Sequence, residues 1–284
     1  METQKGTCAF VFPVHRDKFK YGRRLIKSYN DLFSGIDIYP IFSNEEEQEE
    51  FALNNPDLSY TPIIYDLSYN PTLQETSGII TKKKFYAIDE LFSKNNYKYI
   101  AAIDSESSFT SSADVSKLFK EWHNKKKFYS STTHKIFHRM TLEDPAGKFF
   151  PEHYETLRSA LNNFCEFFWF NEIPIYERET FQRFKDITNI FNKFRDITWV
   201  DFDYHIYGLY CILYEGFEVV SINRDLGYDI EIENGFLEDQ FLIESSGHSD
   251  VWDEICDIIR PMWIKYPRYT CKSPFMTTYD DRRV

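Results

Sequence analysis

Residues 97–106 read YKYIAAIDSE, an apolar run that ends in two carboxylates, Asp104 and Glu106, separated by one serine. The run predicts a buried strand, and the carboxylates begin where the expected burial ends. Residues i and i+2 of an extended segment project to the same side, so both carboxylates can reach one hard cation such as Mg²⁺ or Mn²⁺. The alternative is ordinary turn or helix-cap chemistry, for which acidic residues at a strand end are common.

The chain before this strand alternates strand-like and helix-like segments. Apolar runs are separated by stretches in which apolar residues recur at helical spacing, and Ser43 with Glu46 forms a capping-box pattern before the second helix. The expected strands are residues 8–12, 36–42, 62–65 and 97–103, and the expected helices are residues 25–33, 43–53 and 77–95. Such alternation predicts an α/β fold with a mainly parallel central sheet flanked by helices, whose ligands bind at the carboxyl ends of the strands.

The second half of the chain is less regular. Residues 128–131 predict a strand and residues 181–194 a helix, whereas residues 164–175 form a dense aromatic block. That block is either core or a platform for the apolar face of a sugar. Further on, the acidic D-F-D motif of residues 201–203 stands where a helix is expected to begin, and Gly216 stands where that helix ends before another strand.

Composition narrows the class of protein. The 284 residues are 42% hydrophobic and 18% aromatic, and 33 Lys and Arg against 45 Asp and Glu give a net charge of −12. This charge repels nucleic acid, which is not an expected partner. Five scattered cysteines without a C-x-x-C pair argue against a disulfide framework or a structural zinc site and favour the cytoplasm. No apolar stretch reaches the roughly 20 residues that span a bilayer, so no transmembrane segment is expected and any membrane contact would be peripheral.

The D-x-E motif at the end of the fourth strand and the acidic helix start further on together resemble the GT-A glycosyltransferases, over roughly residues 7–225. The matched pieces are the metal-binding D-x-D, here Asp104-Ser105-Glu106, and the later acidic motif before a helix and a G-F-x-V strand. Residues 202–208 also resemble a motif of little-characterised bacterial and viral members. The resemblance implies a GT-A mixed, mainly parallel sheet.

The same resemblance implies a division of the chain. Residues 1–230 would form the catalytic domain, with residues 7–110 as the nucleotide-sugar-binding half and residues 111–230 as the acceptor-side half. Residues 231–284 would form a helical or irregular extension packed on the same domain.

For function, the resemblance implies a hexosyltransferase that moves a sugar from a UDP- or GDP-sugar to a hydroxyl of a glycan or glycolipid, in surface polysaccharide or glycan synthesis. Mn²⁺ or Mg²⁺ would be held by Asp104 and Glu106, with His248 as a candidate third ligand, and would stabilise the leaving diphosphate. If configuration is inverted, Asp203 is the first candidate for the base that deprotonates the acceptor, and Asp201 is the second. The D-F-D sequence departs from the usual E-D pair, and helix N-capping is the alternative role of both aspartates.

The resemblance also implies contacts to the nucleotide from the ends of other strands and from the third helix. The candidate nucleotide-binding residues are Pro13, His15, Asp66, Lys83, Lys84 and Ser105. The alternatives are a loop role for His15, a turn role for Asp66, and solvation for those of the three successive lysines that do not reach the nucleotide. Residues 260–273 suit either a flap over the diphosphate or a terminal packing segment.

Two other functions remain open from the sequence. A sugar nucleotidyltransferase predicts a glycine-rich phosphate loop after the first strand, but no glycine occurs there before Gly22. A catalytically inactive carbohydrate-binding or assembly protein on a GT-A scaffold would account for Glu106 where the motif usually has Asp, and for an Asp of the D-F-D motif where the later motif usually has Glu.

Overall fold

The computed structural model describes residues 7–33, 36–65, 78–105, 107–109, 114–132, 142–167, 174–221, 224–225, 263–265, 270–272 and 276–279. The strands are β1 Cys8–Pro13, β2 Asp37–Phe42, β3 Ile63–Ile64, β4 Tyr99–Ala102, β5 Ser107–Phe109, β6 Lys127–Thr132, β7 Glu166–Phe167, β8 Ile175–Glu177, β9 Glu218–Ser221, β10 Trp263–Lys265, β11 Thr270–Lys272 and β12 Met276–Tyr279. The α-helices are α1 Phe19–Leu32, α2 Glu45–Asn54, α3 Ile79–Lys94, α4 Val115–Lys125, α5 Glu143–Phe149, α6 Tyr154–Ala160, α7 Arg178–Thr188 and α8 Asp203–Tyr214. Short 3₁₀ segments lie at Arg16–Lys18, Pro151–His153 and Ile190–Asp196.

The chain divides into two compact units. Unit 1 comprises Met1–Glu121 and Pro174–Trp199, and unit 2 comprises Trp122–Ile173 and Val200–Val284. Unit 1 is therefore built from two separate stretches of the chain.

The central sheet of unit 1 confirms the predicted fold class. Its five strands lie in the order β3-β2-β1-β4-β8; the first four are parallel, and β8 is antiparallel to β4. All six residues of β1, the middle strand, are buried. A strand covered on both faces reads as a continuous apolar run, which is why β1, β2 and β4 were predictable from the sequence. The protein is thus a mixed α/β protein with a mainly parallel central sheet flanked by helices.

Aromatic side chains pack helices onto both faces of this sheet. The connections from β1 to β2 and from β3 to β4 run in opposite directions across the sheet, so right-handed crossovers place α1 and α3 on opposite faces. On the α1 face, the ring of Phe10 lies 5.1 Å from that of Phe109 and 5.6 Å from that of Phe119. On the α3 face, Phe85 lies 5.4 Å from Phe184 of α7. Burying each such side chain contributes about 1.5–3 kcal/mol to stability.

The start of α2 corrects the predicted capping box of Ser43 and Glu46. The N-cap is Asn44, whose Oδ1 accepts a hydrogen bond from the N–H of Glu47 at 2.8 Å. The Glu47 carboxylate reaches back to the N–H of Ser43 at 2.7 Å. Asn is as good an N-cap as Ser, and Glu46 instead pairs with Arg16 at 3.2 Å, so the box forms one residue later than predicted.

The junction of β8 and α7 ties the returning chain to α3. The sequence predicts one helix over residues 181–194, whereas the structure has α7 followed by a 3₁₀ segment. Arg178, the first residue of α7, donates from Nε to the carbonyl of Tyr97 at 2.7 Å and from its other nitrogens to the carbonyls of Phe92 and Asn95. One guanidinium thus satisfies carbonyls that the C-terminal end of α3 leaves without helical partners.

Unit 2 contains a parallel pair of strands, β6 and β9, with β7 antiparallel to β6. The predicted strand at residues 128–131 is confirmed as part of β6. The predicted series of acidic helix start, Gly216 and strand is confirmed as α8, a left-handed turn with φ of 71° and β9. Residues 231–284 were expected to form a helical or irregular extension. The described part of this segment instead contains three strands, β10, β11 and β12, in which neighbouring strands pair antiparallel. In the sequence, Pro267 lies between β10 and β11, and Pro274 lies between β11 and β12.

The aromatic block at residues 164–175 is described only at its ends. Phe164 is buried and lies 5.2 Å from the ring of Tyr154, so this residue belongs to the core. Residues 168–173 lie outside the described residues. Among the helices that the structure describes, none has the length and apolar character needed to cross a bilayer.

Candidate functional site

The carboxyl ends of β1, β2, β3 and β4 meet at one edge of the unit 1 sheet because these strands are parallel. The chain moves outward from β1 to β2 and β3 and then returns to the other side of β1 as β4. Such a reversal creates the crevice in which open α/β sheets bind ligands, here between the ends of β1 and β4. His15 follows β1 and Asp104 follows β4, so the structure places two predicted site residues beside this crevice.

Asp104 lies where the pairing of β4 with β1 ends. The N–H of Ile103 donates to the carbonyl of Val11 at 2.9 Å, so regular pairing continues to the residue before Asp104. The side chain of Asp104 is 47% exposed, and its Oδ1 accepts a hydrogen bond from Nζ of Lys84 at 3.0 Å. Ser105, the next residue, is buried. The carboxylate is therefore open to solvent on one side and paired with an ammonium group on the other.

The three successive lysines of α3 are all buried, which corrects the prediction that some of them are solvated. Lys82, Lys83 and Lys84 are 1%, 0% and 3% exposed. Because α3 connects two parallel strands, it runs antiparallel to them and begins at the carboxyl edge of the sheet. The ammonium groups of Lys83 and Lys84 reach oxygen atoms at this edge while their stems are buried.

Lys83 joins the ends of two strands. Its Nζ donates to the carbonyl of Val14 at 3.1 Å and to that of Ile41 at 3.4 Å, and it lies 4.0 Å from Oε2 of Glu47. Burial lowers the pKa of Lys83 to about 8, against the opposing effect of the Glu47 carboxylate. Lys83 therefore has a structural role in positioning the crevice, and it adds positive charge there.

The end of β1 and the residues that follow it form the other side of the crevice. Pro13 is buried and pairs in register with Ile41 of β2. Burial, followed by the nearby charge of Lys83, lowers the pKa of His15 to about 4, so this imidazole is neutral at pH 7. A neutral imidazole can both donate and accept a hydrogen bond, which suits contact with a nucleotide base.

The residues at this edge fit a divalent ion as part of a larger set of oxygen ligands. Mg²⁺ is usually bound by one or two carboxylates together with phosphate oxygens and waters, and Asp104 supplies one exposed carboxylate of this kind. Within the described ranges, no three His, Cys, Asp or Glu side chains lie close enough together to hold a metal alone. Glu106, Asp66 and His248 lie outside the described residues.

The two candidate bases, Asp201 and Asp203, lie in unit 2 at the start of α8. Both are 1% exposed. The N-cap of α8 is Phe202, which makes no side-chain capping bond, and Asp203 is the first helical residue. Neither aspartate is therefore the N-cap residue that the alternative interpretation required, although the positive end of the helix favours a carboxylate at both positions.

Asp201 has a cationic neighbour within unit 2. Lys148 of α5 places its Nζ 2.5 Å from Oδ2 of Asp201, so that carboxylate has a cationic partner. Proton transfer to Asp201 would convert this ion pair into an ammonium group beside a neutral acid. Two residues beyond Asp203, His205 is fully buried, and burial lowers the pKa of its imidazole to about 3.

Sequence reasoning did not single out Glu166, the first residue of β7. This glutamate is fully buried, accepts a hydrogen bond from Oγ of Ser130 at 2.7 Å and lies 3.3 Å from Nη1 of Arg224. The cysteine and aromatic residues beside it in the sequence give no signal for a buried acid. Lys148 was also missed, because a single lysine in a short helix is usually solvated.

No family model matches the chain, and a search of the curated proteins finds no match. Among solved structures, the chain is similar to core-mannan synthase A from Aspergillus fumigatus in its Mn/GDP form. The TM-score is 0.42 and the sequence identity is 12%, over 79% of this chain and 74% of that chain. The fold class rests on the strand order and crossovers described above and not on this likeness.

Proposed function

We propose that the protein is a metal-dependent glycosyltransferase of the GT-A type that transfers a sugar from a UDP- or GDP-sugar to a hydroxyl of a glycan or glycolipid, in surface polysaccharide or glycan synthesis in the cytoplasm. The observation that carries the proposal is the position of Asp104, a half-exposed carboxylate at the carboxyl end of β4, beside the reversal of strand order. Buried lysines at the same edge supply positive charge that suits a diphosphate.

In this proposal the donor diphosphate binds at the carboxyl edge of the unit 1 sheet. Asp104, together with Glu106, would hold Mn²⁺ or Mg²⁺, which supplies charge stabilisation for the leaving diphosphate. Lys84 would add a second positive charge, while Lys83 would hold the ends of β1 and β2 in place through its bonds to their carbonyls. His15 in its neutral form would contact the base.

The transfer breaks the bond between the anomeric carbon and the phosphate oxygen, whose electron pair leaves with the nucleotide diphosphate. A bond forms between the acceptor oxygen and the anomeric carbon, and the acceptor hydroxyl loses its proton. For an inverting reaction, Asp203 is the proposed acceptor of that proton. Asp201, whose carboxylate pairs with Lys148, is the second candidate.

The proposal is tested by calorimetric titration of UDP, GDP and their sugars with and without Mn²⁺, followed by measurement of donor hydrolysis. Metal-dependent nucleotide binding and slow hydrolysis are expected for the wild type. Asp104→Ala should lose both, because the metal loses a carboxylate ligand. Glu121→Ala, which removes an exposed carboxylate on α4, is the matched control and should behave as the wild type.

Three outcomes would contradict the proposal. If the wild type binds no nucleotide in the presence of Mn²⁺, there is no donor site. If the wild type and Asp104→Ala bind donor but hydrolyse it at equal rates, the carbohydrate-binding or assembly alternative is favoured. Release of pyrophosphate from a sugar phosphate and a nucleoside triphosphate would instead favour the nucleotidyltransferase.

A further inference from the structure

The pair of Lys84 and Asp104 has a consequence for the order in which ligands bind. Oδ1 of Asp104 accepts a hydrogen bond from Nζ of Lys84 at 3.0 Å, and the two side chains are 4% and 47% exposed. The carboxylate proposed to bind the metal is therefore already neutralised by an ammonium group from α3. A divalent ion on the same carboxylate would lie within a few ångströms of that ammonium, and the two cations repel each other.

Other positive groups at this edge increase the repulsion. The N-terminus of α3, which carries the positive end of the helix dipole, begins at the carboxyl edge, and the buried ammonium group of Lys83 also lies at this edge, against the carbonyls of Val14 and Ile41. Glu47, the carboxylate near Lys83, is also committed to the N–H of Ser43 at 2.7 Å. A bare divalent ion thus approaches a carboxylate that already has an ammonium partner and lies at the edge where α3 begins.

A nucleotide diphosphate removes this obstacle. Its phosphate oxygens are negatively charged, so they offset the repulsion between a divalent ion on Asp104 and the ammonium group of Lys84. The same oxygens bind the metal and accept hydrogen bonds from an ammonium group. Metal and nucleotide therefore help each other to bind, and the coupling must be equal in both directions.

Resting on the proposed function, we propose that Lys84 is an internal counter-ion that keeps Asp104 from binding a bare divalent ion and releases it only when the metal arrives with a nucleotide diphosphate. The site would then be empty of metal when the protein is free and would acquire metal and nucleotide as one complex.

The test measures Mn²⁺ binding directly, from the paramagnetic resonance signal of the free ion, with and without saturating GDP or UDP. For the wild type, the affinity for Mn²⁺ should rise at least about tenfold when the nucleotide is present. Lys84→Met preserves the length of the side chain and removes its charge. It should bind Mn²⁺ alone about tenfold more tightly than the wild type and should show a smaller effect of nucleotide.

Two further variants separate charge from packing. Lys84→Arg retains the positive charge and should retain weak binding of Mn²⁺ alone, even if Lys84→Met fails to fold. Lys94→Met removes an exposed lysine of the same helix that pairs with Glu90 at 2.9 Å, and it should bind Mn²⁺ as the wild type does.

The proposal is overturned if Lys84→Met and the wild type bind Mn²⁺ equally without nucleotide, or if Lys84→Arg binds it as tightly as Lys84→Met is expected to. These failures differ from a failure of the proposed function, in which the wild type binds no nucleotide at all. Tighter binding of Mn²⁺ by Lys84→Met without any nucleotide binding would support the counter-ion role and reject the transferase.

Discussion

The fully buried imidazole of His205 predicts a specific sensitivity of the fold to acid. Burial lowers its pKa from 6.5 to about 3, so the folded protein resists protonation at a position that the unfolded chain protonates readily. Above pH 6.5 the group is neutral in both states and does not make stability depend on pH. As the pH falls from 6.5 towards 3, the unfolded state takes up the proton first and the free energy of unfolding decreases.

The size of this effect follows from the shift. Each pH unit within the window costs about 1.36 kcal/mol, so at pH 4 the loss from His205 alone is about 3.4 kcal/mol. That is a large fraction of the roughly 5–15 kcal/mol by which proteins of this kind are stable. His15, whose pKa is lowered to about 4, adds to the loss over a narrower window, between pH 6.5 and about 4.

The assay is urea unfolding followed by circular dichroism at several values between pH 4 and 7, for the wild type and for His205→Gln. Glutamine has no proton to gain in this range, so the variant should lose stability less steeply, by about 1.36 kcal/mol per pH unit. A difference in stability between the two proteins at pH 7 does not affect this difference in slope. His153→Gln is the control variant. Because His153 is partly exposed, this variant measures how replacing a histidine changes the dependence of stability on pH when the ring is not buried.

Parallel stability curves for the wild type and His205→Gln would refute the reasoning. They would mean that the folded protein accepts a proton at His205 as easily as the unfolded chain does. The burial of the ring, and with it the packing at the start of α8, would then differ from the structure.

Two further predictions concern stability at neutral pH and are measured by thermal unfolding. Gly78 has a φ of 70°, and a Cβ there would lie 2.7 Å from a side-chain carbon and 2.8 Å from two backbone oxygens, so Gly78→Ala should cost about 1–3 kcal/mol. Gly22→Ala is the control, because its Cβ would meet its nearest neighbour at 3.5 Å within a helix, and an equal loss in both would contradict the steric argument. Lys148→Met should cost about 3 kcal/mol by depriving the buried carboxylate of Asp201 of its ammonium partner. Adding Asp201→Asn should restore part of that loss, whereas strictly additive losses would show that the pair is not coupled.

The parts of the fold that the sequence predicts are those whose pattern is local. β1, β2 and β4 are continuous apolar runs, and α8 has an acidic start and Gly216 at its end, so each can be recognised without its neighbours. β8 could not be recognised, because three residues carry no periodicity. Its pairing with β4 depends on contacts such as those of Arg178, which join residues more than 80 positions apart.

In the candidate site too, features set by local sequence pattern were predictable, and features set by contacts between distant residues were not. The position of Asp104 at a strand end follows from the local pattern, and the order of the strands then identifies its edge as a binding crevice. The burial of Lys83 does not follow from local pattern, because it depends on the carbonyls of Val14 and Ile41, which belong to the ends of two other elements. A run of lysines is usually solvated. These three lysines are buried because α3 packs on the sheet.

Because unit 1 is assembled from two stretches of the chain, its sheet cannot be completed during synthesis until the second stretch has been made. The last strand and the last helix of its sheet layer, β8 and α7, are made only after the intervening residues of unit 2. At about 5–20 residues per second, the ribosome needs roughly 3–11 s to pass from residue 121 to residue 177, where β8 ends. Throughout that interval the edge of β4 has no partner and the aromatic face of α3 around Phe85 has no cover. The nascent chain is therefore most exposed to strand pairing with other chains, and to chaperones, before its sheet can close.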